Sequence, residues 1–160
     1  MSSPSEGGSG ATGGSLQARL SSALTGALTV IEESDGALTV SQDGIVASLR
    51  VVTIADGLEL VSLTQPLAWD LPLNAKIRER VSAHASSTLL GTVALVEKPV
   101  QTSANGSSAA TGTRTSSAKK VADVMLRYNF PAAGLTEDAL RTLILMVLAA
   151  GADVRRALLS

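Results

Sequence analysis

Apolar and polar residues alternate strictly near the end of the chain. Val124, Leu126, Tyr128 and Phe130 fall on one side, and Asp123, Met125, Arg127 and Asn129 on the other. Period two is the spacing of a strand with one buried face. Tyr128 and Phe130 are the only Tyr and Phe in the chain, which marks them as core anchors. Pro131 ends this ladder because it has no N–H to donate. The period then becomes helical. Thr136 is placed to cap a helix, Glu137 and Asp138 suit its positive end, and Leu135 and Leu140 are spaced as a hydrophobic staple. Leu140, Leu143, Ile144 and Val147 form one face. Gly151, Val154 and Leu158 continue that face if the helix runs on. Gly151 is equally placed to end it, leaving a short last helix with Arg155 and Arg156.

Upstream, Ser15 is placed to cap a helix from Leu16 to about Thr25, with Leu16, Leu20, Ala23 and Leu24 on one side and Gly26 at its end. Four strand-like runs follow, at 28–33, 37–41, 45–54 and 58–67. Asp35-Gly36, Asp43-Gly44 and Asp56-Gly57 stand between them, a hairpin signal that predicts an antiparallel meander. Asp70 and Pro72 are expected to open a second helix over 72–85, with Leu73, Ile77 and Val81 as its buried stripe. Residues 89–98 read as another strand. Residues 1–14 and 99–119 are low-complexity Ser, Thr, Ala and Gly with no apolar stripe, and are expected to be disordered. The fold class expected is therefore α+β in a single domain over 15–159: helix, antiparallel meander, helix, hairpin, C-terminal helix.

The last helix is apolar over more than one face. At 100° per residue, Leu143, Ile144 and Val147 lie within about 60° of Leu140, whereas Leu145 lies about 140° away, beside Ala149. Met146 and Leu148 widen the band. Leu145, Met146, Leu148 and Ala149 are thus candidates for a protein contact, a homodimer seam or a site for a partner chain. The alternative is packing under the N-terminal helix.

Composition narrows the function classes. The chain has 160 residues, a net charge of −1 and no cysteine. There is no broad attraction to nucleic acid or to an anionic membrane. Disulfides, thiol catalysis and cysteine metal sites are excluded. The longest apolar run, 143–150, is far short of the roughly 20 residues that span a bilayer. Residues 1–14 carry neither a basic start nor an apolar run, so the cytoplasm is the expected address. Abundant alanine and scarce aromatics suggest a bacterial source with a G+C-rich genome.

No catalytic, cofactor or metal residue is assigned. Gly8, Gly10 and Gly13 spell a dinucleotide fingerprint, but a polar tail precedes them where the motif needs a buried strand. His84 is the only histidine and lacks a nucleophile motif, so it reads as structural. Glu32 and Glu33 are adjacent in a strand and point to opposite faces, so with Asp35 they read as a charged strand end. Lys76, Arg78 and Arg80, like Arg155 and Arg156, read as solvated helix faces. Asn105-Gly106-Ser107 is a glycosylation sequon by spelling only.

The element order, together with the Asp-Gly turns at 35–57, Leu71-Pro72-Leu73, and the segment LRYNFPAAGLTEDALRTLILMVLAAGADV at 126–154, resembles the YbjN-like family, which shares the type III secretion chaperone fold. The resemblance spans about 15–159. It implies a non-enzymatic interaction or chaperone-like protein of the sensory-transduction regulator kind, with no catalytic residues to carry over. Its partner would be another polypeptide, held on a sheet face, a strand edge or a helix groove. The alternative expectation is a small-ligand-sensing regulatory domain.

Overall fold

A computed structural model describes residues 14–100 and 120–160. Its element order is α1 (Leu16–Leu24), β1 (Thr29–Glu32), β2 (Leu38–Gln42), β3 (Ile45–Ala55), β4 (Leu58–Pro72), α2 (Ala75–Ser87), β5 (Thr92–Pro99), β6 (Lys120–Pro131) and α3 (Glu137–Leu159). The expected α+β plan is the one observed. The six strands form one antiparallel sheet in the order β1-β2-β3-β4-β6-β5. The last strand of the chain therefore inserts between β4 and β5. The expected disorder of 1–13 and 101–119, the glycine triplet at 8–13 and the sequon at 105–107 lie outside the described residues. Pro99, assigned to the loop from sequence, is instead the last residue of β5 and pairs with Lys120.

Turn chemistry sets the meander. Asp43 and Gly44 both have positive φ, and the flanking Gln42 and Ile45 pair directly, so this is a two-residue hairpin of the kind Asp-Gly favours. Asp56-Gly57 joins the paired Ala55 and Leu58. At the first turn, Asp35 accepts a hydrogen bond from the Ala37 N–H (3.1 Å) and its other oxygen pairs with Arg50 (2.5 Å). Its carboxyl is held below the usual value, by the Arg50 side chain first and the Ala37 N–H next.

The helices cover one face of the sheet. Leu38, Val40, Leu49, Val61, Leu63, Leu126 and Phe130 point into a core shared with Leu16, Leu20 and Leu24 of α1 and with Leu140, Ile144 and Val147 of α3. Phe130 is buried, and its ring stacks on half-buried Tyr128 with centroids 5.1 Å apart. Ser15 caps α1 through the Ala18 N–H, and Thr136 caps α3 through the Ala139 N–H. Arg19 donates to the Ala133 and Leu135 carbonyls, and Arg141 donates to the Ala23 carbonyl (2.7 Å), so α1 is tied across the start of α3.

One helix boundary differs from the sequence reading, and a second was left open by it. The second helix starts at Ala75, not Pro72, and its cap is Asn74, which accepts from the Ile77 N–H (2.9 Å). Pairing with β6 holds the chain extended through Leu71 and Pro72, and the Leu73 N–H still donates to the Lys120 carbonyl. Asp70 does not open a helix: it is a strand residue with a φ of 53°. At the other end, α3 does not stop at Gly151 but runs to Leu159. Gly151 is buried against the Gln65 side chain, and a Cβ there would lie 2.6 Å from Gln65 Cδ. Glycine is thus required by the approach of strand to helix, not by a helix end.

Candidate functional site

The expected contact surface on α3 does not stay together. Leu148 is buried, and Leu145 is half-buried and packed on the core, on the side where Arg141 reaches α1. Met146 and Ala149 are exposed. The extra apolar width at Leu145 and Leu148 therefore belongs to the core and not to a free surface.

A different place concentrates unusual features: the far end of β4. Pro66 has no N–H to give, and the β3–β4 ladder ends just before it, at Ser48↔Thr64. The β4–β6 register then slips twice, between Pro66 and Ala68 and between Ala68 and Leu71. Such irregularities bend a strand and re-aim its side chains. Asp70 holds a left-handed conformation there, which is uncommon for a residue with a Cβ. Trp69, the only tryptophan, is left 59% exposed.

One charged side chain lies over that indole and is itself held by two carboxylates. Lys98 Nζ lies 5.8 Å from the Trp69 ring centroid, within cation–π range. The same ammonium pairs with Asp70 (2.6 Å) and Asp123 (2.9 Å), and Asp123 also accepts the Asp70 N–H (2.9 Å). Asp123 is buried. Burial pushes its carboxyl up, but the Asp70 N–H and the Lys98 ammonium together outweigh this and hold it below its ordinary value. Lys98 is raised, by Asp70 first and Asp123 next, against a smaller effect of burial. One ammonium thus bridges two carboxylates across the bulged end of β4 and the start of β6, leaving a net charge of −1.

Where β3 and β4 part, a groove of about 570 Å³ opens between Val46 and Trp69, with Pro66 and Ala68 along its β4 side and Arg155 and Leu159 of α3 beside it. A second hollow of about 590 Å³ shares Gly44, Arg155 and Leu159 and extends past Ala152 and Arg156. Arg155 donates to the Gly44 carbonyl (3.2 Å), and Arg156 pairs with Asp153.

The other residues weighed from sequence are dispersed. Arg78 pairs with Glu97 (2.6 Å), and Arg80 donates to the Ala157 carbonyl (2.5 Å). Glu33 accepts from the Thr39 hydroxyl, Asp35 holds Arg50, and His84 is half-buried on α2. Among the described residues no three His, Asp or Glu side chains gather as metal ligands. None of their helices is long and apolar enough to cross a membrane. Sequence reading missed Trp69, Lys98 and Asp123 as a unit. The one available signal was a sole tryptophan beside an aspartate, just past a proline in a strand-like run. No family model matches this chain, and no curated protein does.

Proposed function

We propose that this chain is a non-enzymatic protein-binding domain, cytoplasmic and chaperone-like or regulatory in role, as the resemblance to YbjN-type proteins implies. The observation that carries the reading is the face of the sheet that no helix among the described residues covers, which ends in an exposed tryptophan beside the Lys98 ion network. The face is polar in its middle, where Thr39, Ser48, Thr64, Arg127 and Thr92 form one row across five strands. It turns apolar toward Trp69, through Pro66, Met125 and Ala94 in the adjoining row and Val96 beyond. A rigid aromatic beside an apolar patch with a polar surround is the composition of an interaction hot spot. The partner is another polypeptide or a second copy of this chain.

Affinity capture from the native cell tests this with three baits: wild type, Trp69→Ala, and Leu89→Ser, which alters a 91% exposed leucine away from the face. A protein recovered by wild type and Leu89→Ser but lost with Trp69→Ala supports the reading. An identical set from all three baits removes it. The second reading, a small-ligand sensor, draws on the groove of about 570 Å³ beside Trp69, a volume within the range of small-molecule sites. A ligand-dependent rise in melting temperature is its signature.

A further inference from the structure

We infer that the groove between β3 and β4 takes a short peptide segment in which apolar side chains are flanked by carboxylates. The inference rests on the protein-binding reading and specifies the chemistry of the partner. Pro66 cannot extend the β3–β4 ladder, so the start of β3 and the bulged end of β4 separate. The separation leaves Val46 and Trp69 as opposing walls, and Leu159 of α3 lies beside them. All three are large apolar side chains more than 40% exposed, and they converge on one hollow. Lone exposed apolar residues need no explanation, but a convergent set at a rigid bulge marks a contact.

Charge selects the occupant. Arg155 lines both hollows, and of its five N–H donors one goes to the Gly44 carbonyl. Arg156 lines the second hollow, turned by its pairing with the neighbouring Asp153. No acidic side chain lines the first hollow among the described residues, and Asp43 alone lines the second. A guanidinium with free donors beside apolar walls complements a carboxylate next to an apolar side chain. Shape points to a chain rather than a compact molecule. The two hollows share Gly44, Arg155 and Leu159, so they adjoin, and an occupant that reaches both extends from Trp69 to the end of α3.

Because Trp69 is the only tryptophan, its fluorescence reports occupancy directly. The probe is acetyl-Glu-Glu-Leu-Phe-Glu-Glu-amide, compared with a version carrying Gln for Glu and a version carrying Ser for Leu and Phe. The acidic apolar peptide is expected to shift Trp69 emission saturably, with a midpoint below about 1 mM. Both control peptides are expected to bind at least tenfold more weakly. Arg155→Gln is expected to abolish the difference between the Glu and Gln peptides, while Arg127→Gln, on the open face outside the groove, retains it. Circular dichroism melts confirm that both variants fold. Three results would overturn the inference: no saturable shift with the acidic apolar peptide, equal binding of the Gln peptide, or saturable binding of decanoate in the absence of any peptide response. None of these touches the capture experiment with Trp69→Ala, so the two readings fail separately.

Discussion

The two faces of this sheet are built from neighbouring residues of the same strands, yet they answer to different demands. Leu38, Leu49, Leu63 and Tyr128 form a row on the covered face. One residue away on each strand, Thr39, Ser48, Thr64 and Arg127 form a row on the open face. On the covered side helices exclude water, and each apolar side chain stabilises the fold by roughly 1.5–3 kcal/mol when fully buried. On the open side β-branched threonines keep strand geometry without creating a sticky surface. The exception on each face is the instructive residue. On the covered face it is Gln65, 1% exposed, whose Nε2 donates to the Leu148 carbonyl (3.3 Å) while its Oε1 has no partner. On the open side it is Trp69, with its ring in water. A polar group where burial is complete and an aromatic where it is not both run against the energetics of their location. Gln65 ties the sheet to α3 through the Leu148 carbonyl, and Trp69 stands at the end of the proposed binding face.

The contrast is broken most severely by charge on the covered side. Val147 is fully buried between α3 and the sheet. Val147→Asp is expected to remove about 3–5 kcal/mol, since no partner is available for the carboxylate, and to abolish cooperative melting at ambient temperature. Chemical denaturation of the variant checks this, and a retained two-state transition near the wild-type midpoint would contradict the assignment of the core.

Gly151→Ala comes next. Helix propensity alone favours alanine by about 1 kcal/mol. The added methyl, however, overlaps the Gln65 amide, which is enclosed and has no solvent-side exit. We expect a net loss of about 1–3 kcal/mol from overpacking. In a Gln65→Ala background the same substitution is expected to become neutral or stabilising. Additive losses in the double variant would show that Gly151 and Gln65 are not coupled.

A smaller split is expected on the outer side of α3. Leu145 is half-buried against the core, whereas Met146 is 53% exposed. Leu145→Glu is expected to cost about 1–2 kcal/mol through lost burial and a poorly solvated carboxylate. Met146→Glu is expected to stay within about 0.5 kcal/mol of wild type. Thermal melting of the pair reads the difference directly. Equal destabilisation would mean that Met146 packs on the domain after all.

Much of the fold was legible in the sequence because local chemistry and burial agreed. Ser15 and Thr136 cap where their positions predict, three Asp-Gly pairs stand between successive strands, and the alternation in β6 gives the covered face correctly. Misreadings arose where a long-range contact outweighed a local signal. Pairing with β6 keeps Pro72 in a strand although proline suits a helix start. Local rules left Gly151 open as a stop or a mid-helix residue, and the close approach of Gln65 explains why glycine stands there. The apolar breadth of α3 was visible, but its period alone could not decide between a free contact surface and further packing at Leu145 and Leu148. The candidate site was the least legible part. Trp69, Lys98 and Asp123 are separated by more than 20 residues at each step, and only the bulges of β4 bring them together.

The smallest effect concerns the ion network beneath Trp69, and pH reads it. Asp123 is held below its ordinary value of 3.8 in the folded chain, after burial is outweighed by the Asp70 N–H and Lys98. A carboxyl depressed by folding adds stability that is fully present above its unfolded value and is lost as pH falls through its folded value. Lys98 is raised above 10.5, so its contribution is present below that value and lost as pH rises through its folded value. Across neutral pH both contributions are complete and the network should show no pH dependence. Below about pH 4, wild type should lose stability faster than Asp123→Asn, because the variant has no proton to take up at this position. At neutral pH wild type is the more stable, as an amide cannot hold the ammonium in the same way. The two stability curves should therefore converge on the acid side. Because Asp70 and Lys98 are partly exposed, solvent and salt weaken the pairing, and the difference should shrink further at high ionic strength. Urea titrations of both proteins from neutral pH down through the acid limb, at low and high salt, test this. Parallel curves with no convergence would mean that Asp123 is protonated, or unpaired, in the folded protein, and the bulge would then owe its shape to backbone pairing alone.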